Sequence, residues 1–222
     1  MSGVDLTALR LSLQVAGLAT GLCLALGIPL AWLLARRRFW ATEVLAAAAM
    51  LPLVLPPTVV GYYLLTALGR SSAFGRFLED ELGIRLVFTW QGAGIAAAVM
   101  ALPLVVTTAR TAFESVDPDL ERVGLTLGRS RMAVFFTITL PLASPGVLAG
   151  VALAFARAMG EFGATLMVAG NIPGRTRTMP LAVYDAVQSG DMGLANTLAI
   201  VLTLTSMALL AVFGWASRSF RW

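Results

Sequence analysis

Asp117-Pro118-Asp119-Leu120-Glu121-Arg122-Val123-Gly124-Leu125-Thr126-Leu127-Gly128, continuing through Arg131 to Ile138-Thr139-Leu140-Pro141, is a polar stretch set between apolar segments long enough to span a bilayer. Placed there, it has to be a loop at a membrane face, and it carries the marks of a short helix. Asp117 suits an N-cap that accepts from free amides, and Pro118 at the first helical position loses no bond it needed. Asp119 and Glu121 fall in the first turn, where negative charge complements the helix dipole. Leu120, Val123, Gly124 and Leu127 recur at spacings of three and four and predict one apolar face, with Gly128 as the stop. The pattern predicts a helix of about three turns on the membrane surface. Three roles fit it: a connector between two spans, a helix lying in the lipid interface, or a docking element for a partner.

The rest of the chain fixes the class. Hydrophobic residues make up 58% of the 222, charged residues 13%, and the mean hydropathy is +0.83. These values define a membrane protein, read as a single integral domain over residues 1–222 in contact with lipid. The pI of about 10.2 comes from sixteen basic residues, all arginine, that scatter or sit at loop edges as the positive-inside rule expects. That distribution argues against a nucleic-acid partner. Lysine and histidine are absent, so the chain has no Walker A lysine, no imidazole metal cluster, no Ser-His pair and no histidine proton relay. No catalytic group, cofactor or metal is expected on this chain. Cys23 stands alone in an apolar run and reads as a small buried hydrophobe.

Residues 11–35 carry no charge and exceed the roughly 20 residues needed to cross the hydrocarbon core, and Arg36-Arg37-Arg38 follow. This order marks a retained span with the arginines in the cytoplasm. Further spans are expected at about 45–68, 92–111, 146–169 and 194–216, with a cytoplasmic loop at about 112–141. The fold class is therefore an all-α polytopic bundle of five spans, or six if the proline-rich second segment is two. Five spans put the N-terminus outside and the C-terminus inside, near Arg218 and Arg221. Pro52, Pro56 and Pro57 interrupt the second span, and backbone left unpaired there has to face protein or a water-filled cavity. A bend lining a pathway and an ordinary packing kink both fit. Residues 69–91 form a polar outer loop, and 181–187 an interfacial or re-entrant piece.

Glu121-Arg122-Val123-Gly124, then Gly128, nine intervening residues and Ile138-Thr139-Leu140-Pro141 resemble the EAA loop of permease subunits in bacterial ABC importers. Val123 and Gly124 depart from the two alanines usual there. The resemblance implies a type I importer permease fold and assigns Asp117, Leu120, Glu121, Val123, Gly124, Leu127, Gly128, Arg129, Ile138, Leu140 and Pro141 to a coupling loop gripped by a separate ATPase. ATP and magnesium then belong to that ATPase, present in two copies, and the permease pairs with a second copy of itself.

Leu53 to Leu65, Gly160-Glu161-Phe162-Gly163-Ala164-Thr165 and Asn171-Ile172-Pro173-Gly174 resemble the permeases of molybdate importers in the bacterial inner membrane. Sulfate and thiosulfate permeases share Gly-Glu-Phe-Gly, and tungstate is not separable from molybdate by sequence. A tetrahedral oxyanion needs hydrogen-bond donors, for which Arg157, Thr165, Asn171, Arg175, Thr176, Arg177 and Thr178 are suited near the outer half. A candidate pathway or gate is expected around Pro56, Pro57, Thr58, Arg157, Glu161, Gly163 and Thr165. The resemblance also implies a docking loop for a periplasmic molybdate-binding protein at Asn171, Pro173, Gly174, Arg175 and Thr176, with a plain connector as the alternative. Arg157 and Glu161 are one turn apart and expected to pair, holding helices together in preference to touching substrate. An ATP-independent anion carrier or channel is the competing class, and it would usually show intramembrane acidic or histidine relays or internal repeats.

Overall fold

The computed structural model describes residues 6–37 and 39–218, with side-chain environments through Trp215. Arg38 and Arg221 of the expected inner-face arginines lie outside the described residues, and Arg218 closes the last helix. The first long helix, α1 (Leu6–Arg36), is followed by α2 (Trp40–Val54) and α3 (Pro57–Leu68). Next come a short α4 (Ala73–Asp80), the long α5 (Trp90–Glu114) and α6 (Pro118–Thr126). Then α7 (Arg131–Val134), a π-helical turn (Phe135–Thr139) and α8 (Leu140–Met159) form one continuous rod. The chain ends in α9 (Gly163–Ala169), α10 (Met179–Gln188) and α11 (Met192–Arg218).

Among the described residues, α1, α5, the α7–α8 rod and α11 are each long and apolar enough to cross a bilayer. The second expected span is broken: α2 and α3 meet at an angle of 114°. Pro56 and Pro57 explain the break, since neither donates a backbone hydrogen bond and residue 55 is pushed to an extended conformation. The fourth span also differs from the expected 146–169. Its helix starts at Arg131, stops at Met159, and the chain re-enters helix only at Gly163. The π turn just before Pro141 relieves the pressure of the proline ring on the preceding turn and lets the helix continue through the proline.

Small residues let the central helices approach closely, as expected where lipid supplies no hydrophobic drive between them. Ala16, Ala19 and Cys23 of α1 pack on Ala93, Ala97 and Ala101 of α5, and Ala154 and Ala158 of α8 complete this core. Gly150 lies so close to Thr108 that a β-carbon there would sit 2.1 Å from the Thr108 hydroxyl. One end of the bundle is closed by aromatics, with Trp32 and Phe113 at 5.1 Å and 5.8 Å from Phe135. At the other end the amide of Met179 donates to Ser12 Oγ at 2.8 Å, seating α10 against α1, with Met179, Ala182 and Leu198 in one core. The piece expected at 181–187 is thus a ten-residue helix packed on α1 and α11.

Candidate functional site

The coupling segment is built from its own ends. Asp117 Oδ1 accepts from the Asp119 amide at 2.9 Å, and Gly128 takes φ of +80°, a conformation glycine adopts without strain. Helix α6 has nine residues, about half a turn less than the expected three turns. Gly124 is buried against the rod: a β-carbon would lie 2.9 Å from Val134 and 3.0 Å from Ile138, so the sequence departure at this position allows a closer approach. The other members of the expected apolar face point away from the fold. Leu120 is 47% exposed, Val123 56% and Leu127 76%, so the apolar face divides into one glycine facing in and an uncovered patch facing out. Arg129 donates to Thr137 Oγ1 at 3.1 Å, Leu140 is half-buried at the aromatic end, and Pro141 is exposed.

Glu121 does more than complement a helix dipole. Its Oε1 accepts from Arg36 Nη2 at 2.6 Å and from Thr139 Oγ1 at 2.6 Å, tying α6 to the end of α1 and to the rod at once. Charge-assisted bonds of this length are the strong kind. This joint also places Arg36 and Arg37 at the same end of the bundle as α6.

The second cluster lies where the two broken helices meet. Pro56 caps α3, Pro57 begins it, and Thr58 follows. Gly163, which begins α9, lies against them: a β-carbon would stand 2.9 Å from Pro57 Cβ and 3.4 Å from the Thr58 amide nitrogen. Gly61 of α3 faces Ala164 and Met167 of α9 just as closely, at 2.8 Å and 2.7 Å from a built β-carbon. Two motifs a hundred residues apart in sequence therefore form one close-packed joint.

Arg157, in the last turn of α8, donates from Nη1 to Glu161 Oε2 at 2.6 Å. The other oxygen of Glu161 accepts from the Ala164 amide at 2.8 Å and so caps α9. Glu161 is 2% exposed, and a buried carboxylate held by one guanidinium and one amide is a structural clamp across the break. Thr165 is fully buried on α9. Phe162 packs against Tyr184 with ring centroids 5.1 Å apart and planes tilted by 52°, and ties the same break to α10.

The loop after α9 divides in two. Thr176 Oγ1 accepts from the Ile172 amide at 3.0 Å, and Asn171 Oδ1 accepts from Arg177 Nε at 2.9 Å. Arg177 also pairs with Asp185 at 3.1 Å. Asn171 and Thr176 therefore pin the loop internally, and only Pro173, Gly174 and Arg175 form its exposed tip. The outer loop before α5, expected only to be polar, contains α4, capped by Ser72 Oγ accepting from the Gly75 amide at 2.8 Å. Its Glu79 carboxyl is held below the usual carboxylate range by a hydrogen bond from Arg85, with burial opposing and the charges of Arg85 and Arg70 assisting. Among the described residues no group of three or more His, Cys, Asp or Glu side chains is placed to hold a metal ion.

A helical membrane bundle with broken helices at its centre and a capped polar helix at one end has an architecture that suits a transport permease. Residues 27–221 match the model of the binding-protein-dependent transport system inner membrane component, and the chain belongs to that family. It is accordingly a transport subunit of an inner membrane and not an enzyme. The chain is 48% identical over 213 residues, 95% of its length and 93% of the relative's, to the molybdenum transport system permease protein ModB of Escherichia coli (strain K12). It is 36% identical to the sulfate transport system permease protein CysT of Salmonella typhimurium (strain LT2), across 83% of this chain and 66% of that one. Its fold is similar to that in inward-facing conformations of the MetNI methionine ABC transporter, with a TM-score of 0.77, 15% identity and full coverage of both chains.

Proposed function

We propose that this chain is the transmembrane subunit of an ATP-driven importer that carries molybdate, or the isosteric tungstate, from a periplasmic binding protein to the cytoplasm. The observation that carries the reading is the joint at Glu121: an uncovered apolar patch on α6 backed by a three-way polar tie to α1 and the rod. A motor that grips the patch would move α6, and the tie would pass that movement to two membrane helices in place of a flexible loop. In this reading two copies of the chain enclose the pathway, and two ATPase subunits, which hold ATP and magnesium, seat one α6 each. The exposed tip Pro173-Gly174-Arg175 meets the loaded binding protein. Closure of the ATPases draws the coupling helices together and opens the pathway outward, and hydrolysis resets it.

The centre of the bundle supports passage of an oxyanion. Glu161 is neutralised by Arg157 and its second oxygen is occupied, so the break does not present an unpaired negative charge. The cargo assignment rests on the higher identity to the molybdenum permease than to the sulfate permease. Uptake of labelled molybdate by cells with and without this chain, against excess sulfate, tests it. The expected result is uptake that depends on the chain and resists sulfate; equal competition by sulfate overturns the cargo assignment.

A further inference from the structure

At the end of the bundle that carries α6, a cavity of about 460 Å³ opens between the last turn of α1 and the rod. Its polar lining is Trp32, Arg36, Arg37, Glu121, Arg131 and Thr139, and Phe135 is among its apolar walls. Three arginines and one glutamate line it, and that carboxylate is already engaged by Arg36. The carbonyls ending α1 add only a partial negative charge, so the cavity stays strongly positive.

Two donors on residues that line it lack an acceptor among the described residues and are covered from solvent: the Trp32 indole Nε1 and Arg36 Nε. Spaced by four, they lie on one face of α1. A buried N–H without an acceptor is costly, so an occupant whose acceptor oxygens draw either side chain toward the cavity relieves that cost. A positive cavity selects an anion over a neutral acceptor, and arginine suits the tetrahedral oxygens of a phosphate group.

We propose that this cavity is a binding site for a phosphate-class oxyanion, held by Trp32, Arg36, Arg37 and Arg131. The headgroup of an anionic phospholipid is the source the position favours. The cavity begins where the uncharged run of α1 ends, at the hydrocarbon boundary, and its apolar walls accommodate the adjoining glycerol and chain. Basic pockets between helices on the cytoplasmic side recognise such headgroups. An occupant here would brace the joint between α1 and α6 from behind. The proposal rests on the cavity and not on the identity of the cargo.

The test uses the full chain, purified with its partner subunits and stripped to a defined neutral lipid, then titrated with phosphatidylglycerol and read by native mass spectrometry. The wild type is compared with Trp32→Phe, which keeps the ring beside Phe135 but removes the donor, and with Arg131→Gln, which removes one exposed charge. The expected result is a tight lipid site whose affinity falls about tenfold in each variant, the effect of losing one charge-assisted hydrogen bond. Parallel titrations with inorganic phosphate and with molybdate separate the sources. Lipid that is retained assigns the site to the bilayer, and lipid displaced at millimolar anion assigns it to a cytosolic oxyanion as well. Binding of equal strength in all three proteins, or no tight site for any of these anions in the wild type, overturns the proposal.

Discussion

Replacing Gly61 by alanine tests the joint between the two broken helices. A β-carbon at this position would stand 2.7 Å from Met167 Cβ and 2.8 Å from Ala164 Cα, against a normal contact of about 3.5–4.0 Å. One of the opposing atoms is backbone, so no rotamer change removes the overlap, and α9 has to move by about 1 Å. Overpacking of this kind costs about 1–3 kcal/mol, and the better helix propensity of alanine returns up to about 1 kcal/mol. With the full return the net loss is about 0–2 kcal/mol, centred on about 1 kcal/mol, which for a chain of this size lowers Tm by about 2–4 °C at the centre of that range. Gly27→Ala is the matched control: its β-carbon meets only side-chain atoms of Val105 and Leu102, at 3.1 Å and 3.2 Å, which can give by tenths of an ångström. The assay is thermal unfolding of both variants in one detergent, together with ATP-dependent uptake in cells. A Gly61→Ala protein as stable and as active as Gly27→Ala would refute the close approach of α3 and α9.

Arg157→Ala leaves Glu161 as a buried carboxylate with only an amide for a partner and is expected to cost about 3 kcal/mol or more. Glu161→Gln keeps an acceptor for the Ala164 amide and is expected to cost less, so thermal unfolding should rank the alanine variant as the weaker protein. Arg36→Ala and Glu121→Gln, made singly and together, are expected to show a coupling of about 1 kcal/mol in a stability cycle, modest because the pair is partly exposed. The same variants should lower uptake per ATP hydrolysed, and additive effects on both measures would count against a joint. For Glu79, the folded carboxyl titrates below its unfolded value. Its contribution is therefore present above the ordinary carboxylate range and is lost as pH falls through the lowered value. Protection against hydrogen exchange across residues 70–85, taken relative to the intrinsic rate at each pH, is expected to fall in acid in the wild type and to lose that fall in Glu79→Gln.

Features specified by neighbouring residues were legible in the sequence. Asp117, Pro118 and Gly128 mark the ends of α6 within a dozen residues, and the uncharged run after Leu11 announces its helix by length alone. Spacing by four also located the Arg157–Glu161 pair. What escaped depends on contacts between distant segments. Glu121 finds Arg36 across 85 residues, and no periodicity within α6 points to it. The break between Met159 and Gly163 was hidden because the apolar residues on both sides keep the average hydropathy high despite Glu161, and the buried side chain of Glu161 capping α9 makes the interruption stable. Asn171 and Thr176 looked like surface donors, yet both are consumed in holding their own loop. In the outer loop, Ser72 as an N-cap was the available signal for α4, overshadowed by the surrounding charges.

The central claim is that free energy enters through α6 from a separate ATPase. Reconstitution of the purified chain into vesicles tests it most directly, with labelled molybdate uptake measured alone, with the ATPase subunits and loaded binding protein, and with those subunits plus ATP. Uptake is expected only in the complete mixture with ATP, and it should collapse when Glu121 and Gly128 are both replaced by arginine. Molybdate movement by the chain alone at the rate of the complete system would contradict the account.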